Sequence, residues 1–250
     1  MIIHSFLMNY NGEKLLPFVL KHYGAFCDQI TIFDNHSTDR SKEIISSFPN
    51  TKIIGYDPDG EGHERNFGQL NDVRIRDIKN ECWKASAGRC DWVVVADLDE
   101  LLYAPDLKGR LAQLEAEGKT IIKPVGYNMI SETFPRPGNI TDQVKCGVRC
   151  EAYSKQIIFD PTAIEEINYA VGAHTCEPQG LVRIYKSDGD IKVLHYKFLS
   201  MNYYLEKCEE MAKNMNAENL AKGWGVQAKY TTEQNVAVFN NILAEAKEVI

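Results

Sequence analysis

Three carboxylates crowd one short stretch, Asp97, Asp99 and Glu100 in Ala96-Asp97-Leu98-Asp99-Glu100, directly behind the apolar run Asp91–Ala96. Along an extended chain Asp97 and Asp99 point the same way, so two like charges are held close together. They repel, and a divalent cation is the simplest remedy. Oxygen ligands select a hard metal, so the expectation is Mn²⁺ or Mg²⁺ at Asp97 and Asp99. A D-x-D pair elsewhere would read as a solvated acidic turn; here its place behind a buried strand favours the metal. A second constellation is Phe33-Asp34-Asn35-His36-Ser37-Thr38-Asp39. A strand ends on a carboxylate and hydroxyl residues open a helix. Asp34 can accept hydrogen bonds from a nucleobase N–H or from ribose hydroxyls, whereas Thr38 and Asp39 read as helix caps.

Alternating strands and helices must position these groups. Ile2–Met8, Gln29–Asp34, Lys52–Tyr56 and Asp91–Ala96 read as strands, the last buried on both faces because its apolar run is unbroken. Leu15, Leu16, Val19, Leu20 and Tyr23 recur at helical spacing, with Gly24 as a stop. Ile44, Ile45 and Phe48 mark a second helix, and Leu70, Val73, Ile78, Cys82 and Ala85 stripe a long third one. Asp57–Gly68 is a Gly-rich polar loop. This alternation predicts an α/β fold with a mostly parallel central sheet and helices on both faces. Ligands of such sheets sit beyond the carboxyl ends of the strands. Met8–Asn11, Asp34–Asp39 and Asp97–Glu100 are therefore expected to converge on one rim.

The second half is less regular. Ile121–Val125, Gln156–Phe159, Leu181–Tyr185 and Ile191–Tyr196 read as strands, residues 126–150 as a loop-rich stretch, and Met201–Leu220 and Glu233–Val249 as closing amphipathic helices. The 250 residues fit one domain, with no internal repeat and no linker. A formal charge of −7, from 28 Lys and Arg against 35 Asp and Glu, gives no support to a nucleic-acid binder. No apolar run approaches the roughly 18 residues of a membrane helix. The N-terminus lacks the basic region of a signal peptide. Seven irregularly spaced cysteines read as reduced thiols in a cytoplasmic protein.

Taken in order, Tyr10-Asn11, Asp34-Asn35-His36-Ser37-Thr38-Asp39 and Asp91-Trp92 followed by Asp97-Leu98-Asp99-Glu100 resemble glycosyltransferase family 2. The nearest branch is bacterial, with a D-N-x-S-T-D and a D-x-D-E motif. The resemblance covers residues 1–105 and continues more loosely through Gly172-Ala173-His174-Thr175 and Leu194-His195-Tyr196. It departs at Gly12, where that branch has Glu, with Glu13 following. It implies a GT-A (Rossmann-like) fold, a nucleotide-sugar donor and a divalent metal at the D-x-D. It divides the single domain into a donor half, 1–105, an acceptor-side half, 106–200, and C-terminal helices, 201–250.

The resemblance also assigns roles. Asp34 would recognise the base, with Met8, Tyr10, Asn11 and Asn35 around the nucleotide. Arg74 would reach the diphosphate. Asp97 would hold the ribose or a metal-bound water, Asp99 would ligate the metal, and His195 would complete its shell. Family members invert the anomeric centre, and the base comes from the second half: Glu132, His174 and Glu177 are candidates, Glu132 foremost. A UDP-sugar is the expected donor, and a carbohydrate or lipid-linked hydroxyl the expected acceptor, in surface polysaccharide or lipopolysaccharide synthesis at the inner face of the membrane. Tyr203, Tyr204 and Met211 offer a peripheral membrane contact, although core packing is the better reading of them.

Rival readings are weaker. A sugar-phosphate nucleotidyltransferase needs a Gly-rich basic cradle where this chain has Asn9-Tyr10-Asn11-Gly12-Glu13. A dehalogenase-type phosphatase needs its D-x-D behind the first strand. A binding module that kept the sheet but lost turnover sits poorly with an intact Asp97 and Asp99. An EF-hand over Asp57–Gly68 lacks its final Glu, and Cys146, Cys150, His174 and Cys176 match no zinc spacing.

Overall fold

The computed structural model describes residues 1–59 and 67–250. Val-, Ile- and Phe-rich segments without polar alternation are stable only where both faces are covered. β1 (Ile3–Asn9), β2 (Gln29–Asp34), β3 (Thr51–Gly55) and β4 (Trp92–Asp97) pair in parallel in the order β3-β2-β1-β4. β1, β2 and β4 obey that rule, and the partly exposed β3 forms the sheet edge. α1 (Leu16–Gly24), α2 (Ser41–Ser46) and α3 (Asp72–Glu81) cross between them. The period-two alternation splits the core. Ile3, Leu7, Ile30, Ile32, Trp92 and Val94 pack with Leu16, Val19, Leu20 and Tyr23 of α1. Phe6, Met8, Phe33, Val93 and Val95 pack on the other face with Ile78 of α3 and Trp83. Truncating one such side chain to Ala costs about 2–5 kcal/mol.

Beyond β4 the chain leaves this sheet at once. β5 (Glu100–Tyr103), α4 (Leu107–Ala116), β6 (Ile121–Lys123), β7 (Val125–Ile130), α5 (Ile140–Gln143), β8 (Cys146–Arg149), β9 (Ile158–Phe159), β10 (Ile164–Glu166), β11 (Gln179–Gly180), β12 (Ile184–Lys186) and β13 (Lys192–Phe198) follow. The seven-stranded sheet runs β12-β6-β9-β4-β1-β2-β3, with β9 antiparallel to both its neighbours. A second sheet holds β8, β7, β13 and β5, and its edge is closed by β14 (Lys247–Glu248). The class expected from the sequence is the one found: α/β, a mostly parallel central sheet and helices on both faces, consistent with a GT-A-like arrangement.

The expected boundaries differ in instructive places. The single strand expected over 121–125 is two, because Pro124 has no N–H to continue a ladder and the chain changes sheet there. The long third helix starts only at Asp72: Asn71 caps it, accepting from Val73 N and Arg74 N at 3.1 Å each, and Leu70 stands outside. The helix expected over 201–220 breaks into α6 (Met201–Asn214) and α7 (Ala217–Lys222). Leu70 causes the break. Its N–H donates to the Asn214 carbonyl at 2.7 Å, its carbonyl accepts from Asn219 Nδ2 at 3.1 Å, and Asn216 recaps the chain by accepting from Asn219 N. α8 (Thr232–Glu245) opens on a full capping box. The loop expected over 57–68 lies mostly outside the described residues, as does the EF-hand reading of it.

Candidate active site

The β4–β5 junction is where the chain crosses from the first sheet to the second, and the acidic cluster sits on that crossing. Antiparallel pairing sets Glu100 opposite His195 of β13, and Tyr196 N donates to the Asp99 carbonyl at 2.8 Å. That register brings His195 Nε2 to 3.1 Å from Asp99 Oδ2. His195 Nδ1 lies 2.8 Å from Asn128 Oδ1, and the ring stacks on Tyr153 at 3.8 Å. Asp97 is held differently. Lys79 Nζ donates to it at 2.6 Å, and Lys155 Nζ lies 3.6 Å from its other oxygen while donating to Glu100 at 2.5 Å. Both lysines and Glu100 are almost fully buried. Such a network holds only because every charge has a partner. Burial alone would raise the Asp97 carboxyl, but Lys79 and Lys155 outweigh it and hold the group below the usual range. Burial works against Asp99 too, and is outweighed by His195 and then by Lys197 and Lys155, which hold Asp99 well below that range.

This donor set fits a divalent cation through two residues. Nδ1 facing the Asn128 oxygen makes that nitrogen the N–H donor, so Nε2 meets the Asp99 carboxylate with either a proton or a cation between them. A cation there would complete its shell with water and phosphate oxygens, as Mg²⁺ commonly does. Asp97 joins it only by giving up its lysines. Among the described residues no group of three or more His, Cys, Asp and Glu side chains is arranged to hold a metal ion. The Cys146, Cys150, His174 and Cys176 set accordingly forms no such centre.

The β2 tip is built by its own turn. Asp34 is fully buried and accepts from Asn9 Nδ2 at 2.7 Å, Ser37 Oγ at 2.5 Å and Ser37 N at 3.0 Å. It lines no cavity. Asn35 accepts from Gly68 N and donates to the Gln69 carbonyl, so it fastens the segment after residue 67 to the rim. Gly12 has a steric reason. A Cβ there would stand 2.2 Å from Asn9 Oδ1 and 2.4 Å from Leu98 Cδ2. Glu13 turns outward and accepts from Arg40 N beside the start of α2.

Two cavities meet over the acidic cluster. The smaller, about 280 Å³, is walled by Met8, Tyr10, Tyr56, Leu98, Tyr203 and Lys197. The larger, about 400 Å³, is walled by Asp72, Lys79, Tyr153, Lys155, His174, His195 and Trp224. Asp97 and Asp99 face both, under a shared roof of Leu70, Ile75 and Met211. Polar contacts across the rim hold α6 against the chain just after β1: Lys14 pairs with Glu206, Lys207 Nζ donates to the Asn11 carbonyl at 2.8 Å, and Asn11 Nδ2 donates to Glu210 at 3.0 Å.

Of the residues singled out from sequence, Met8, Tyr10, Asn35, Asp97, Asp99, His195 and His174 line this cleft. Asn11 is tied to Thr38 N and Glu210 at the rim. Arg74 donates through Nε to the Asp57 carbonyl, and Glu132 and Glu177 are exposed; none of the three lines either cavity. His174 Nδ1 lies 2.7 Å from the Ala152 carbonyl, and burial lowers its pKa. Tyr203 and Met211 face the smaller cavity, and Tyr204 is buried against Phe198 and Phe239. Sequence reasoning missed Asp72, Lys79, Asn128, Tyr153, Lys155 and Lys197. Lys79 carried a faint signal, a lysine on the apolar stripe of a helix. Lys155 carried none, since its partners lie more than fifty positions away.

No protein-family model and no curated protein matches the sequence. Among solved structures the chain is similar to S. aureus TarS, residues 1–349, at 15% identity and a TM-score of 0.43, over 86% of this chain and 65% of that one. The same region of TarS in complex with UDP-GlcNAc gives 14% identity and a TM-score of 0.43, over 86% and 66%. A longer TarS structure gives 17% identity and a TM-score of 0.43, over 96% and 43%. The chain spans less than two thirds of the length of each of these.

Proposed function

We propose that this protein is a metal-dependent, inverting glycosyltransferase that moves a sugar from a nucleotide sugar, a UDP-sugar in the first instance, to a hydroxyl acceptor. The observation that supports it best is the seat of Asp97, Asp99 and His195 where a small apolar cavity meets a larger polar one. A nucleoside fits the apolar side, since such sites are mostly hydrophobic with a few placed polar groups. The acceptor takes the larger side. Residues 1–105 then serve the donor, 106–200 mostly the acceptor, and the helices of 201–250 roof both within one domain.

Asp99 and His195 would hold the cation, which when bound would act as a Lewis acid on the charge growing at the β-phosphate. The chain's own groups do the rest. Lys79 and Lys155 fix Asp97 so that its free edge faces the ribose. His174, its Nδ1–H committed to Ala152, presents an Nε2 lone pair to the larger cavity and takes the acceptor's hydroxyl proton. The acceptor oxygen bonds to the anomeric carbon as that carbon's bond to the diphosphate oxygen breaks, so configuration inverts. We extend the reading to surface polysaccharide or lipopolysaccharide assembly at the inner face of the membrane, on a carbohydrate or lipid-linked acceptor. Among the described residues no helix is long and apolar enough to cross a membrane.

A thermal-shift panel tests the reading. UDP with Mn²⁺ is expected to raise Tm, because a ligand bound only by the native state at 100 times its Kd adds about 2.7 kcal/mol. No shift with any nucleoside diphosphate, with or without Mn²⁺, overturns it.

A further inference from the structure

We propose that Lys197 and the Tyr203 hydroxyl, which line the same cavity, bind the donor's diphosphate. This rests on reading the smaller cavity as the nucleotide site, and it moves the anion-binding role from Arg74 to a residue of β13.

Charge accounting across the cleft points to Lys197. Four other Lys and Arg side chains line the two cavities, and each has a carboxylate: Arg76 has Asp77, Lys79 has Asp97, Lys155 has Glu100 and Asp97, and Lys207 has Glu210. Among the described residues, Lys197 alone of the lining cations makes no ion pair and no hydrogen bond. It is half-buried, and its ammonium lies 5.8 Å from the Tyr204 ring centroid, within cation–π reach. A cation already matched by a carboxylate gains little from an incoming anion; an unmatched one in a partly desolvated wall gains much. Lys197 lines the smaller cavity together with Asp97 and Asp99, the carboxylates shared with the larger cavity, and the diphosphate must lie near them for the sugar to reach that larger cavity.

Tyr203 supplies an independent observation. Its side chain is only 5% exposed, yet its hydroxyl makes no hydrogen bond among the described residues. That oxygen is not sealed in the protein either, since among the described residues the buried unpartnered side-chain atoms are those of Ser5, Asn9, Trp83 and Trp92. The hydroxyl therefore opens on the cavity that the residue lines. The ring is held in place: Tyr203 N donates to Ser200 Oγ at 3.2 Å at the start of α6, and Phe134 packs on the ring at 5.1 Å. A fixed hydroxyl with no partner among the described residues, lining the same cavity as an unmatched ammonium, suits a phosphate oxygen.

The test is calorimetric binding of UDP and of uridine to wild type, Lys197→Gln, Lys197→Arg and Tyr203→Phe, each in Mn²⁺ and in EDTA. Lys197→Gln is expected to weaken UDP about 30-fold and leave uridine within twofold. Lys197→Arg restores most of the loss, and Tyr203→Phe weakens UDP about fivefold without altering packing. The wild-type dependence of UDP affinity on salt should flatten in Lys197→Gln. A Lys197→Gln variant that binds UDP as wild type does, or that loses uridine equally, overturns the inference and leaves the nucleotide site standing. Wild type that binds none of UDP, GDP, ADP or CDP overturns both.

Discussion

Two aspartates stand at the carboxyl ends of the parallel strands that flank β1, and they have opposite fates. Asp34 closes β2 fully buried, with three donors from Asn9 and Ser37 gathered on its carboxylate. Asp99 stands just past the end of β4 with its side chain 34% exposed, and its carboxylate meets His195, ninety-six residues along the chain. Both read from sequence as ligand-binding carboxylates at a sheet rim. The difference is in who satisfies them. Asp34 has a hydroxyl and an N–H three positions on, so its own turn saturates it and it staples β1 to β2. Asp99 lies on the crossing between sheets, where among the described residues His195 is the side chain that meets it, and one edge stays open to the cleft. A carboxylate at a strand tip is a site only when the neighbouring sequence cannot satisfy it.

The largest expected effect is on turnover. Asp99→Asn should cut donor hydrolysis and transfer by about 10³-fold, roughly 4 kcal/mol of barrier, with Tm within a few degrees of wild type. Wild-type turnover in that variant would erase the distinction between the two residues. Next is Asp34→Ala, which leaves the buried Ser37 N–H and hydroxyl without their acceptor and Asn9 Nδ2 with Ser37 Oγ alone. It should cost about 3 kcal/mol in urea denaturation while the folded fraction binds UDP within twofold of wild type. Unchanged stability with lost UDP affinity would instead make Asp34 the base-reading group expected from sequence.

The smallest effect tests a third carboxylate satisfied by its surroundings. Asp190 accepts from Ser187 Oγ and Arg110 Nε at 2.6 Å each and from Tyr185 at 2.9 Å, with 30% of its side chain exposed. Burial raises its pKa, but those three donors outweigh it and the net shift is downward. A depressed folded pKa contributes stability above the unfolded value near 3.9, and that contribution disappears as pH falls through the folded one. Asp190→Asn should therefore lower Tm by about 1–3 °C at pH 7, with the gap closing below about pH 4. A gap that is constant with pH would assign the loss to packing.

Much of residues 1–105 was legible because the signals there are local. The unbroken apolar run of β4, the helical stripe of α1 and the hydroxyl-rich turn behind Asp34 each follow from neighbours a few positions apart. The rim formed by the β1, β2 and β4 tips follows from parallel-sheet geometry. The break at Asn214–Asn216 was not legible, since Leu70, which causes it, lies 145 residues earlier.

The sequence by itself determined the α/β order and placed acidic groups at the strand ends, because hydrophobic period and strand-end chemistry act over a few residues. Only the tertiary structure decided which carboxylate is spent and which is free. It alone gave Asp97 two buried lysines, brought His195 to Asp99 through the antiparallel register, and left Lys197 without a counter-ion among the described residues. Those pairings join positions many tens of residues apart, and they are fixed by which strands come to lie side by side, a choice the packing of both sheets makes together.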